Sequence, residues 1–189
     1  MRNLGLRLIL WFIGVPAVFA LVIFLPYAHH LAINLVVMIL SGLGAVELAR
    51  LFGRKDARYR ASNLIIPLLG AAIPIAQLLT TTAGLSETAP YFTIVVTTGI
   101  ILFVPVFRHT ADDFQHTLTN IAANLTLLLY PGLFLSYIIR LSEFEPSSIL
   151  IVTFFCAVFF NDSMAYTAGS LYRLVQQRRA RRRGQEWRP

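Results

Sequence analysis

Phe159-Phe160-Asn161-Asp162-Ser163-Met164-Ala165-Tyr166-Thr167-Ala168-Gly169-Ser170-Leu171-Tyr172 decides how the chain is read. The apolar run leading into it, from Ser148 to Phe160, is too short to cross a bilayer, because a spanning helix needs roughly 20 residues at about 1.5 Å each. The span must therefore continue through Asp162 to about Tyr172, which sets an amide, a carboxylate, a hydroxyl and a phenol at hydrocarbon depth. An ionised side chain there costs about 2.5–3.5 kcal/mol on translocon scales. Asp162 thus needs a partner, a metal ion, a proton or a water-filled cavity. On a helix, Asp162, Tyr166 and Gly169 fall at i, i+4 and i+7 on one face, with Ala165 and Gly169 a small-residue pair on nearly the same side. Two readings follow. One is a close helix contact around a protonated aspartate. The other, favoured because intramembrane acids are so often functional, is a cavity in which Asp162 holds a hard divalent cation while Asn161 and Ser163 add oxygen ligands or orient water.

The rest of the chain agrees with a membrane setting. Of 189 residues 57% are hydrophobic and 13% charged, whereas charged residues approach about a quarter of an ordinary soluble domain. The fold class expected is all-α, a polytopic transmembrane helical bundle of about six spans over residues 1–173, followed by a basic cytoplasmic tail at 174–189. Span 1 runs from Leu8 to about Leu25 around Pro16; its apolar stretch is too long for a cleaved signal peptide. Span 2, about Leu31 to Phe52, carries Ser41-Gly42-Leu43-Gly44-Ala45, small residues that let helices approach. Span 3, about Leu64 to Thr80, holds Pro67 and Pro74 and is expected to kink. Span 4 covers Tyr91 to Phe107. Span 5, about Leu118 to Ile139, has Tyr130-Pro131-Gly132 at its middle, a second kink signal. Span 6 is the opening stretch. Asn120 and Asn124 share a face of span 5 and are expected to bond to another helix.

Charge placement sets the orientation. Fifteen of the sixteen basic residues fall on one side of the six-span arrangement, with only Arg140 opposite. By the positive-inside rule that side is cytoplasmic, and so are both termini. The expected location is the inner (cell) membrane. The basic loop from Gly53 to Asn63 and the arginines from 178 to 183 read as anchors on anionic lipid headgroups rather than as phosphate-binding sites. Nucleic acid is not an expected partner, since no folded module for it is present. A homodimer is expected from the small-residue faces.

The other candidates are plainer. Glu47 reads as a local ion pair with Arg50, or as a contributor to a polar cavity. Asp112-Asp113 reads as a solvated loop or helix cap in preference to a metal pair. His29, His30, His109 and His116 lie at span ends and read as interfacial, with no ligand spacing among them. Cys156 stands alone, so no intrachain disulfide forms.

The run Phe160-Asn161-Asp162-Ser163-Met164-Ala165-Tyr166-Thr167-Ala168-Gly169 resembles the middle motif of bacterial phosphatidate cytidylyltransferases, the CDP-diacylglycerol synthases. Leu6-Arg7-Leu8-Ile9-Leu10, Ala45-Val46-Glu47-Leu48 and Tyr130-Pro131-Gly132-Leu133 extend the resemblance over nearly the whole chain, with only the Asp162 motif specific. The resemblance implies attack by the phosphate of phosphatidic acid on the α-phosphorus of CTP, giving CDP-diacylglycerol and pyrophosphate with Mg²⁺ assistance. It implies Asp162 as the catalytic, metal-holding carboxylate, and Asn161, Ser163 and Tyr166 as substrate-binding supports. After Tyr172 the chain departs from the family: the Ser-Pro-x-Lys-Thr segment and the acidic C-terminal signature are missing. A shortened and inactive relative is accordingly among the expectations. A CTP-dependent lipid kinase is a neighbouring reading. A non-catalytic membrane scaffold, or a small transporter coupled to ions or protons through Asp162, is the alternative from another class.

Overall fold

The structure, a computed structural model, describes residues 13–55, 65–106 and 114–182. Its elements are α1 (Val15–Phe24), α2 (Tyr27–Lys55), α3 (Ile65–Ala83), α4 (Ala89–Val106), α5 and α6 (Ser147–Arg182). Helix α5 has three parts: Phe114–Leu127, a π-helical turn Leu128–Leu133, and Phe134–Leu141. Among the described residues the regular structure is helical throughout, as the composition demands. Four helices, α2, α3, α5 and α6, are long and apolar enough to cross a membrane, while α1 and α4 are shorter apolar helices. The chain is an integral membrane protein of the all-α class, with its six helices where the six apolar stretches lie. The chain divides into two compact units, one ending at Leu150 and the other beginning at Ile151. Residues 56–63 of the basic loop, Asp112-Asp113, His109 and the tail beyond Arg182 lie outside the described residues.

The prolines expected to kink their helices lie within them, Pro131 in the π-turn of α5. Pro74 lies inside α3 and lacks the N–H that would bond the carbonyl four residues earlier, that of Gly70. The buried hydroxyl of Ser41 on α2 reaches that freed oxygen at 2.7 Å, as membrane interiors require. The same hydroxyl stands 2.9 Å from the carbonyl oxygen of Pro131 in the π-turn of α5, so three helices meet at one side chain. They meet closely because glycine permits it. A Cβ on Gly70 would lie 2.5 Å from the Ala45 Cβ and 2.8 Å from the Ser41 oxygen, and a Cβ on Gly132 would lie 3.0 Å from the Gly70 oxygen. The small-residue run of span 2 thus does what its composition suggests. Ala45, Ala49, Ile66 and Leu127 fill the space on one side of this crossing, and Ile73, Ile101 and Leu128 form a second cluster.

The entry to α2 is less regular than its hydropathy implies. Ala28, His29 and His30 have φ of 49°, 53° and 58°, a left-handed turn that costs L-residues about 1–2 kcal/mol each. The right-handed helix therefore starts after His30, where the sequence placed it. Buried polar contacts hold this turn. The Asn34 amide donates to the His29 oxygen at 2.8 Å and to the Ser142 hydroxyl at 3.0 Å. The His30 Nε2 lies 3.0 Å from the Ser147 hydroxyl and 3.3 Å from that of Ser148. At the same end of the first unit, Gln77 and Thr81 of α3 both donate to Glu143, at 2.8 Å and 2.6 Å, and Arg140 donates to the Tyr91 hydroxyl at 2.8 Å. His30, expected at an interface, is 2% exposed. Its neighbours are the hydroxyls of the first two residues of α6, and a single sequence gives no sign of that proximity.

Candidate functional site

Two places in the chain gather groups that could do chemistry, one in each unit. In the second unit, α6 carries the whole motif from Asn161 to Gly169 on uninterrupted helix. The helix continues past Tyr172 into the basic segment, so the first part of the expected tail is helical. Consecutive helical residues point about 100° apart. Asn161 and Ser163 therefore flank Asp162 on either side, and only Tyr166, one turn on, shares its face. Asn161, Asp162 and Tyr166 are exposed, and Ser163 is half-buried.

The hydroxyls of the motif are satisfied within the helix itself. Ser163 donates to the Phe159 oxygen at 2.7 Å, Thr167 to the Ser163 oxygen at 2.8 Å, and Ser170 to the Tyr166 oxygen at 2.8 Å. This back-bonding uses each hydroxyl's one proton and leaves its lone pairs facing outward. In this rotamer Ser163 has no proton left for a phosphate and can offer only its oxygen. Asp162 is a hard carboxylate with that oxygen on one side and the Asn161 amide on the other. Among the described residues no three His, Cys, Asp or Glu side chains cluster to form a metal cage. An Mg²⁺ ion does not need one: it keeps several waters and commonly takes one or two carboxylates together with substrate phosphate oxygens. Asp162 can supply one such carboxylate.

In the first unit, Glu47 makes no ion pair with Arg50 or Arg54, contrary to the simpler expectation for it. Glu47 lines a cleft of about 590 Å³ between α2 and the π-turn of α5. Gly44, Leu48 and Leu51 form one wall, and Tyr130, Pro131 and Phe134 the other. The Tyr130 and Phe134 rings meet edge to face, with centroids 6.0 Å apart and planes at 69°. Two segments that carry the family resemblance, around Glu47 and around Pro131, are thus neighbours in space although more than eighty positions apart in sequence. The sequence admits a cavity at Glu47 but does not name its partner, because nothing in a helical pattern says which turn of span 5 faces it.

No curated protein and no solved structure matches the chain. A sequence model described as the cytidylyltransferase family matches residues 5–174, from the start of the first apolar stretch through the Asp162 motif on α6. With nearly the whole chain inside that match, the protein belongs to the cytidylyltransferase family, whose members are CTP-using nucleotidyltransferases.

Proposed function

We propose that the chain transfers CMP from CTP to phosphatidic acid, giving CDP-diacylglycerol and pyrophosphate, with both termini in the cytoplasm. The observation that carries this reading is the family match across residues 5–174, because it takes in Asp162 at a depth where an acid is costly without a use. The long apolar helices support a lipid acceptor: a substrate with two acyl chains reaches a membrane-embedded site without leaving the bilayer.

A phosphate oxygen of phosphatidic acid attacks the α-phosphorus of CTP. The bond from that phosphorus to the bridging oxygen breaks, and pyrophosphate leaves. Such a transfer asks little covalent work of a protein, and positioning together with charge neutralisation dominates. Asp162 would hold the divalent ion, with Ser163 and Asn161 as the adjacent oxygen donors and Tyr166 directing its phenol along the same face toward the phosphates. Bound Mg²⁺ supplies neutralisation of the crowded phosphate charge. The arginines at the end of α6 and beyond give anionic headgroups an electrostatic reason to collect there.

The test uses full-length protein in detergent or vesicles, given CTP, Mg²⁺ and phosphatidic acid. Pyrophosphate and a CDP-lipid are expected. Asp162→Asn, which keeps size and removes charge, should lower the rate by about a hundredfold or more, the scale of losing one key electrostatic stabiliser. Release of CDP with a phosphorylated lipid alcohol would instead identify a kinase. Absence of product from the unaltered chain would leave a scaffold.

A further inference from the structure

We propose that the Glu47 cleft is a binding site for a phospholipid with an ammonium headgroup, a role beyond the nucleotidyl transfer proposed for Asp162. Three features of the cleft select that occupant. The first is an unpaired carboxylate: Glu47 belongs to a membrane-crossing stretch, Tyr27–Arg54, and makes no ion pair or hydrogen bond among the described residues. An acid in that setting is stabilised by a cation. The second is the aromatic pair. The Tyr130 and Phe134 rings line the same cleft, and carboxylate plus aromatic surface is the chemistry that recognises ammonium ions through charge and cation–π attraction. The third is the lining: Gly44, Leu48 and Leu51 are apolar, and about 590 Å³ lies within the range of a small-ligand site, about 300–1,000 Å³. An amphiphile with a cationic head and a hydrocarbon body matches all three.

Depth favours a lipid over a soluble amine. Helix α2 is about 40 Å long and the hydrocarbon core about 30 Å thick. Glu47, two turns from the helix end, therefore sits only a few ångströms inside the core, within reach of a headgroup.

Native mass spectrometry of the full chain, titrated with phosphatidylethanolamine, phosphatidylcholine and phosphatidylglycerol of matched acyl chains and without CTP, tests the proposal. The unaltered protein should retain the two ammonium-headed lipids about tenfold better than phosphatidylglycerol, the scale of one charge-assisted contact. Ethanolamine above choline would assign the selectivity to hydrogen bonds from the head, and the reverse order to the rings; either supports the site. Glu47→Gln should abolish the preference. Gly44→Leu fills the cleft from a position where a Cβ meets only the Pro131 Cβ, at 3.6 Å, and should weaken retention of all three lipids. Equal retention by the unaltered chain, preference for phosphatidylglycerol, or a preference that survives Glu47→Gln overturns the proposal. None of these results bears on pyrophosphate release, so the two readings fail separately.

Discussion

Asn34 is completely buried in the first unit, and its amide nitrogen makes two hydrogen bonds while its carbonyl oxygen has no partner among the described residues. Its contribution therefore rests on the NH₂ group, which ties the left-handed turn at His29 to Ser142. Replacing it by leucine removes the amide donor from the His29 oxygen and leaves the Ser142 hydroxyl with its bond to the Ile139 oxygen alone, at a cost of about 1–3 kcal/mol. Thermal unfolding in detergent should show a midpoint several degrees lower, taking about 2–4 °C per kcal/mol for a chain of this size. An unchanged midpoint would mean that the turn at Ala28–His30 is held by something other than this amide. The hydroxyls of α6 illustrate the opposite economy. Ser163, Thr167 and Ser170 each spend their proton on the preceding turn, which is how a helix so rich in small polar residues remains compatible with hydrocarbon.

Among the elements, the crossing of α2 and α3 depends on one missing methyl group. Gly70→Ala would place a Cβ 2.8 Å from backbone at Ser41, and backbone cannot yield as a flexible side chain can. The helices must part, and the loss should be about 2 kcal/mol or more. Gly99→Ala is the control: its Cβ would meet nothing within 4 Å, and the gain in helix propensity makes a neutral or slightly stabilising result the expectation. Equal unfolding midpoints for the two variants would refute the close crossing. Much of this was legible beforehand. Ser41 to Ala45 announced a helix contact, and Pro74 and Pro131 announced kinks, because small residues and prolines act through local geometry. What could not be read was which partner answers them. Ser41 lies 29 positions from Gly70 and 90 from Pro131, and no periodicity encodes that meeting. For the same reason Asp162 was legible as a motif on a helix, whereas the company of Glu47 was not.

For the molecule as a whole, the passage of α6 through the membrane is open to a direct check with its single cysteine. Cys156 lies in the crossing part of α6, Ser147–Arg173, on an exposed position. A charged, water-soluble reagent does not enter the hydrocarbon, where ionic groups are costly. A membrane-impermeant maleimide should therefore leave Cys156 unlabelled in sealed vesicles from either side, and label it after denaturation in SDS. Rapid labelling in intact vesicles would show that this part of α6 does not cross as proposed.

Ser41 has a final implication for how the first unit is held together. Its hydroxyl carries one proton and faces two carbonyl oxygens, on α3 and α5, so at any instant it can serve only one of them fully. With both oxygens in reach, at 2.7 Å and 2.9 Å, the proton is shared in a three-centre bond, and one small side chain serves as the common fastening of three helices.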